Sequence, residues 1–447
     1  SHIAQEFFGK QINITLNPGA EVNVESDNLN GKILFKLVDG TIINQAPGLL
    51  TLTVTPQMLT AFQKDKPTFV LKNSVPGTLD IKSFYVQKNS FDKVKALISL
   101  KIPEADIVYN DLEVHSNSLK VDMEISDNTV HFDGNLNLEP QFKPPYQDLA
   151  KETFEFTFIG KAILHNGILE IEKTTLKVDS PNHHFDALFS YRNHTIKLLS
   201  PASIKLKINP LAINNLEFIK TGSFNLKKPT EILISLTPFE YSIDDVDALN
   251  VTGFVKMDCL DFFSYGNEFV FKDLLAPFEY ESEEKKLKFS PTLKTYLPKS
   301  NKDGAIIGKI ALRDWDNLIQ GRAKIQLTDI PAEIFDSLSP YPVSRLIGPL
   351  VSLDLDAHYE KTLSVEAHLE GKDLNATFSL ATDDNHSVIS NKTFGEVNFI
   401  LDQEKLNALT TLVKQESIEP HYTLIEKSPA KISLHSINFS MPQTGSL

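Results

Sequence analysis

The strongest constraint on how this chain can fold is a hydrophobic period of two residues. Leu119, Val121, Met123 and Ile125 alternate with Lys120, Asp122 and Glu124, and after a turn at Ser126-Asp127-Asn128 the pattern resumes with Val130, Phe132, Leu136 and Leu138. Phe154, Phe156 and Phe158 alternate with Glu155 and Thr157. The same cadence returns at Ile232, Ile234 and Leu236, at Ala323, Ile325 and Leu327, at Val351, Leu353 and Leu355, and at Val365, Ala367 and Leu369. A period of two gives a strand one apolar face and one wet face. Antiparallel sheets carry that pattern, whereas buried parallel strands read as continuous apolar runs.

Helical signals are few. "TPQMLTAFQK" opens with Thr55 as an N-cap and Pro56 in the first turn. Leu211–Lys220, Ile330–Leu338 and Asp402–Glu416 read similarly, the last with Asp402 as cap and Leu406, Leu409 and Leu412 on one stripe. The expected fold is mainly β: an elongated, highly twisted antiparallel sheet with a few short surface helices.

The chain also repeats a phrase. A proline followed by aliphatics three and five residues later occurs at Pro76, Pro201, Pro229 and Pro429, and at three of these a short helix is expected upstream. Proline is tolerated where a strand begins, because its missing N–H costs no ladder bond there. The repeated unit reads as helix, loop and proline-started strand. A second repeat begins with Gly and an alternating strand and reaches a turn at Cys259-Leu260-Asp261 or at Thr328-Asp329-Ile330. We divide the chain by these repeats into residues 1–200, 201–320 and 321–447, as parts of one continuous unit.

Composition narrows the partners. A net charge of −14 excludes a basic nucleic-acid footprint. One cysteine, Cys259, excludes an internal disulfide framework and reads as an inert core thiol. No stretch reaches the roughly 18 apolar residues of a membrane span, and no signal peptide is present. Ser1-His2 reads as the scar of a cleaved tag, so the chain is expected to be a piece of a longer, anchored protein.

Chemistry-bearing motifs are absent: no P-loop, dinucleotide fingerprint, GxSxG elbow or HExxH occurs. In "NHHFD", His183 and His184 are adjacent on a strand and point to opposite faces, which spoils chelation and leaves a turn with exposed histidines. "ESEEKKLK" (Glu281–Lys288) reads as a solvated hairpin tip. No catalytic residue, metal or cofactor is expected.

A half-apolar sheet must cover its apolar face with a second sheet, by closing into a barrel, or with a ligand in an open trough. The choice of 29 Phe against a single Trp favours a smooth wall without polar handles. The segment "GRAKIQLTDIPAEIFDSLSPYPVSRLIGPLVSLDLDAHYEKTLSVEAHLEGKDLNATFSLA" resembles the AsmA/TamB superfamily of Gram-negative envelope proteins. It has the cadence of a Gly-led strand, a D-I-P helix start, a G-x-L strand and paired alternating strands. The resemblance implies a β-groove, bridge-type lipid carrier. Such a carrier sits in the periplasm, is inner-membrane anchored in the full-length protein, and meets membrane proteins or a membrane surface at its ends. Its partner is a phospholipid or other acyl-chain lipid, and its role is outer-membrane lipid homeostasis.

The expected groove-lining residues are Leu119, Val121, Met123, Phe132, Phe154, Phe156, Ile232, Ile234, Ile325, Leu353, Leu355, Val365 and Leu369. Moving a diacyl lipid through water exposes roughly 30 methylenes, on the order of 25 kcal/mol, which an apolar groove removes without any specific polar contact. The competing readings are a β-rich surface or structural protein, such as an adhesin or assembly factor with sealed cores, and a carbohydrate-active enzyme, which the single Trp disfavours.

Overall fold

The computed structural model describes residues 13–17, 21–61, 69–87, 90–109, 112–141, 152–165, 168–210, 224–244, 248–264, 267–298, 301–314, 320–333, 344–372, 374–382, 388–391, 395–414, 423–434 and 438–440. They are mainly strand, with three short helices among the described residues: Pro56–Ala61, Ser344–Ile347 and Gln403–Lys414. Every described ladder is antiparallel, from Asn13–Asn17 paired with Glu21–Glu25 to Gly395–Leu401 paired with Ser428–Leu434. By compactness the chain forms two units, Ser1–Leu206 with Thr237–Asp244, and Lys207–Leu236 with Asp245–Leu447.

The first unit is organised around the strands Val75–Gln87, Ser90–Ile102, Leu112–Ser126, Thr129–Gln141, Phe154–His165, Ile168–Asp179 and His183–Arg192, each paired with the next. The expected turn after Ser126 is present, with Asp127 in the left-handed region at φ 54°, which a short polar side chain tolerates. The second unit strings together Thr230–Leu236, Asn250–Ser264, Asn267–Glu281, Lys286–Phe289, Lys302–Arg313, Gln320–Pro331, Leu350–Tyr359, Leu363–Gly371 and Leu374–Thr382 in the same up-and-down manner. The tip of "ESEEKKLK" is a solvated hairpin, with Lys286 and Lys288 paired to Glu281 and Glu279 at 3.4 and 2.8 Å.

Strict alternation does not persist along these strands. Two consecutive exposed residues interrupt it at Lys82-Ser83, Glu172-Lys173, Lys272-Asp273 and Thr328-Asp329, and each interruption is a slip of register against a neighbour. These are β-bulges, in which one strand carries an extra residue and its twist increases. Asp273 and Asp329 take positive φ of 54° and 52° to make them. The slip keeps the apolar residues on one face: Leu327 and Ile330 pair with Leu353 and Val351.

Three sequence expectations are corrected by this device. Thr328-Asp329-Ile330 and Cys259-Leu260-Asp261 are not turns but lie inside continuous strands. Ile330 and Pro331 end a strand; helical backbone begins at Glu333, and residues 334–338 of the expected helix lie outside the described residues. Cys259 is exposed in mid-strand, opposite Lys272 at the bulge, and is not a core thiol.

The helix caps follow the sequence. The Met58 N–H donates to Thr55 Oγ1 at 3.3 Å, and the Lys405 N–H donates to Asp402 Oδ1 at 2.9 Å. Pro201 and Pro229 stand immediately before strands, while Pro76 and Pro429 are the second residues of theirs. The strand Phe69–Leu71 intervenes between the first helix and Pro76. The Leu211–Lys220 segment and Trp315 lie outside the described residues.

Among the described residues, tightly buried side chains form small separate clusters. Ile330, Ala332, Ile347 and Val351 make one in the second unit, and Leu71, Val75 and Ala105 another in the first.

Candidate functional site

Cross-strand pairs share a face, so the registers define rows of side chains across each unit. In the first unit one row runs Ile102, Leu119, Leu136, Phe156, Val178, Phe185 and Ile204 across seven strands. The next runs Leu79, Leu100, Val121, Gly134, Phe158, Leu176 and Ala187, and a third begins Ile81, Ile98, Met123, Phe132 and Gly160. Leu119, Val121, Met123, Phe132, Phe154 and Phe156 therefore sit together on one face.

In the second unit a nine-strand row runs Leu236, Gly253, Phe278, Phe289, Ile310, Ala323, Ala357, Val365 and Leu380. Beside it lie Ile325 with Leu355, and Leu327, Leu353 and Leu369 in turn. Ile232 and Ile234 precede Leu236 on its strand at the same two-residue spacing. All seven candidates of this unit share one face. The thirteen candidates did not include Leu136, although its alternating run was read from the sequence, nor Ile102, Phe185, Phe278, Phe289 or Ile310, whose phase the registers reveal.

Every residue of the seven-strand row and every residue of the nine-strand row is half-buried. A face sealed by a second layer would hold these side chains almost wholly out of water, as core packing does. Here each remains partly exposed. Glycines make room for rings: a Cβ on Gly253 would stand 2.8 Å from the Phe278 ring, and the Phe158 ring lies over Gly134. Each ring thus folds onto bare backbone, and Phe132 and Phe158 approach with centroids 6.3 Å apart.

The opposite faces are wet and carry ion pairs. Arg322 and Lys324 hold Asp356 at 2.8 and 3.1 Å, and Lys120 and Lys82 hold Asp122 at 2.5 and 3.3 Å. These lysines keep the Asp122 carboxyl well below the usual carboxylate range, Lys120 most strongly. Exposed pairs of this kind contribute little to stability and mark the side that stays in water. A furrow of about 690 Å³ opens on this wet face in the second unit, walled by Ile307, Gln326, Asp354 and His368 on one side and Lys309, Lys324, Asp356 and Glu366 on the other. Ile325 and Leu355 contribute its floor through their backbones, their side chains standing on the reverse face. A smaller furrow of about 350 Å³ in the first unit has the same construction, with Leu97 and Ile159 exposed along it.

One polar cluster lies on the apolar side. Ser180 Oγ donates to Glu152 Oε2 at 2.8 Å, Asn182 Nδ2 donates to Glu152 Oε1, and His183 Nδ1 lies 3.1 Å from Glu152 Oε2. Burial raises the Glu152 carboxyl, and the hydrogen bonds from Asn182, Ser180 and His183 more than reverse this, leaving it lowered. The His183 ring meets Phe154 at 5.3 Å. These residue types evoke a nucleophile relay, but Ser180 Oγ and Glu152 Oε2 both approach the same nitrogen, Nδ1, of His183. A relay needs the acid and the hydroxyl on different ring nitrogens.

The histidines of "NHHFD" are half-buried on a strand, His183 beside Glu152 and His184 paired to Asp179, and not in an exposed turn. Among the described residues no group of His, Cys, Asp or Glu could hold a metal ion, and no helix is long and apolar enough to cross a membrane. Sequence reading missed the cluster because Glu152 stands some thirty residues before His183.

Comparison with known protein families, with characterised proteins and with solved structures returned no match.

Proposed function

We propose that this chain is a non-enzymatic lipid-binding protein whose apolar faces hold acyl chains, a β-groove carrier of the AsmA/TamB type acting between the membranes of a cell envelope. The single observation that carries this reading is the nine-strand row from Leu236 to Leu380, apolar or glycine throughout and half-buried throughout. Eight strand spacings of about 4.8 Å make that row about 38 Å long, more than the roughly 15 Å hydrocarbon half of a bilayer. Each methylene laid along it leaves water at a gain of about 0.8 kcal/mol. The ion-paired reverse face keeps such a sheet in solution.

The test places a photo-crosslinking phenylalanine at Leu355 or Val365 on the apolar face and at Asp354 or Glu366 on the wet face. After incubation with phospholipid vesicles and illumination, mass spectrometry should find acyl-lipid adducts at 355 and 365 and none at 354 and 366. Equal labelling at both faces, or no acyl species at any position, would leave a β-rich scaffold.

A further inference from the structure

We infer that the Glu152 cluster is a head-group site, taking the ammonium of an amino lipid whose acyl chains lie on the first unit's apolar face. The inference rests on the lipid reading above and specifies which lipid that reading admits.

Phe154 and Phe156 belong to the apolar face, and Glu152 stands two residues before Phe154, the first residue of their strand. The cluster therefore flanks the Phe154 end of that strand, and a lipid whose chains lie along Phe154 and Phe156 can set its head group there. The His183 ring tilts against Phe154 by 40° and closes the cluster on the apolar side.

Like Asp106, Asp179 and Asp244, Glu152 is paired to a histidine, but its side chain is 11 % exposed where theirs are 50, 54 and 70 %. Asp122, Asp356, Glu172 and Asp273 each have a lysine or arginine within 3.3 Å. Glu152 has none at ion-pair distance among the described residues; its partners are the neutral donors Asn182 and Ser180, and His183. Those donors stabilise the carboxylate and lower its pKa although the side chain is only 11 % exposed. A negative charge held largely out of water favours a cation at its remaining exposed edge. The Phe154 ring beside it supplies the aromatic surface that ammonium groups prefer. A head group bearing phosphate alone would meet like charge.

The experiment incubates the folded protein with vesicles containing equal amounts of phosphatidylethanolamine and phosphatidylglycerol, re-isolates it and quantifies bound lipid by mass spectrometry. Wild type is expected to enrich the ethanolamine lipid about threefold over the vesicle, the scale of one partly exposed ion pair. Glu152→Gln should bind the same total lipid with the enrichment gone. Asn182→Lys, which brings a cation to the carboxylate without removing it, should also abolish the enrichment, and it decides the matter if Glu152→Gln loses its β-sheet circular dichroism. Lipid bound without head-group enrichment by wild type, or enrichment retained in the folded variants, overturns the head-group site and leaves the lipid reading standing. No bound lipid in any protein overturns both.

Discussion

The ring of Phe132 lies over the α-carbon of Gly160, its partner in the neighbouring strand, with a ring carbon 2.5 Å from where a Cβ on residue 160 would stand. Glycine inside a strand ordinarily weakens it. Here it admits an aromatic side chain from the facing strand, so the apolar face gains cover from its own residues.

Gly160→Ala is therefore expected to destabilise the first unit, although Gly→Ala usually stabilises by reducing unfolded-state freedom. The new methyl meets the Phe132 ring and the Thr174 hydroxyl, an overpacking that costs about 1–3 kcal/mol. The midpoint of urea unfolding should fall accordingly; an unchanged or higher midpoint would show that the ring can move aside.

Cys259 is exposed beside the bulge at Lys272-Asp273. It should react stoichiometrically with a maleimide in native buffer, at a rate close to that in denaturant. Protection in the native state would restore the core-thiol expectation.

The Asp356 carboxyl is lowered, first by its hydrogen bond with Arg322 and further by Lys324. A depressed folded-state pKa contributes stability above the unfolded carboxyl value of about 3.9, and that contribution is lost as pH falls below it. Wild type should exceed Asp356→Asn in urea midpoint at pH 6, by less than about 1 kcal/mol because the pair is partly solvated. The two should converge toward pH 2. A gap that persists in acid would assign the effect to packing.

His115 runs the opposite way. Its hydrogen bond with Asp106, 2.8 Å away, raises its pKa. Stability from this pair is complete below the unfolded histidine value of about 6.5 and is lost as pH rises through the folded value. His115→Gln should cost more at pH 5.5 than at pH 8.5, read again from unfolding midpoints. Equal losses at both values would remove the ion pair as the cause.

Asp402 accepts the Lys405 N–H at the start of the helix Gln403–Lys414. Asp402→Ala removes that cap at a cost of about 1 kcal/mol. Amide exchange in residues 403–414 should accelerate roughly fivefold, with strand exchange unchanged. Equal acceleration throughout would mean that the helix does not open by itself.

The residues legible in sequence were those whose environment is local. Leu119, Val121 and Met123 declared their shared face by spacing alone, and Asp402 and Thr55 declared their helix starts by residue type. The bulges were not legible. At Thr328-Asp329 two exposed residues in succession read as a turn, because in sequence a slip of phase and the end of a strand look alike. Cys259 was misplaced for the same reason. The Glu152–Ser180–Asn182–His183 cluster was out of reach, for its acid and its imidazole meet only after two strands have paired.

Sequence by itself determined that this chain forms antiparallel strands with one oily and one charged side, because side-chain direction in a strand alternates whatever the rest of the molecule does. Only the tertiary structure decided which oily residues form one unbroken row, that the seven- and nine-strand rows remain half-buried, and that Glu152, Ser180, Asn182 and His183 meet beside one of them. Those depend on register between distant segments, and a slip of one residue, invisible in composition, reverses the face of everything beyond it.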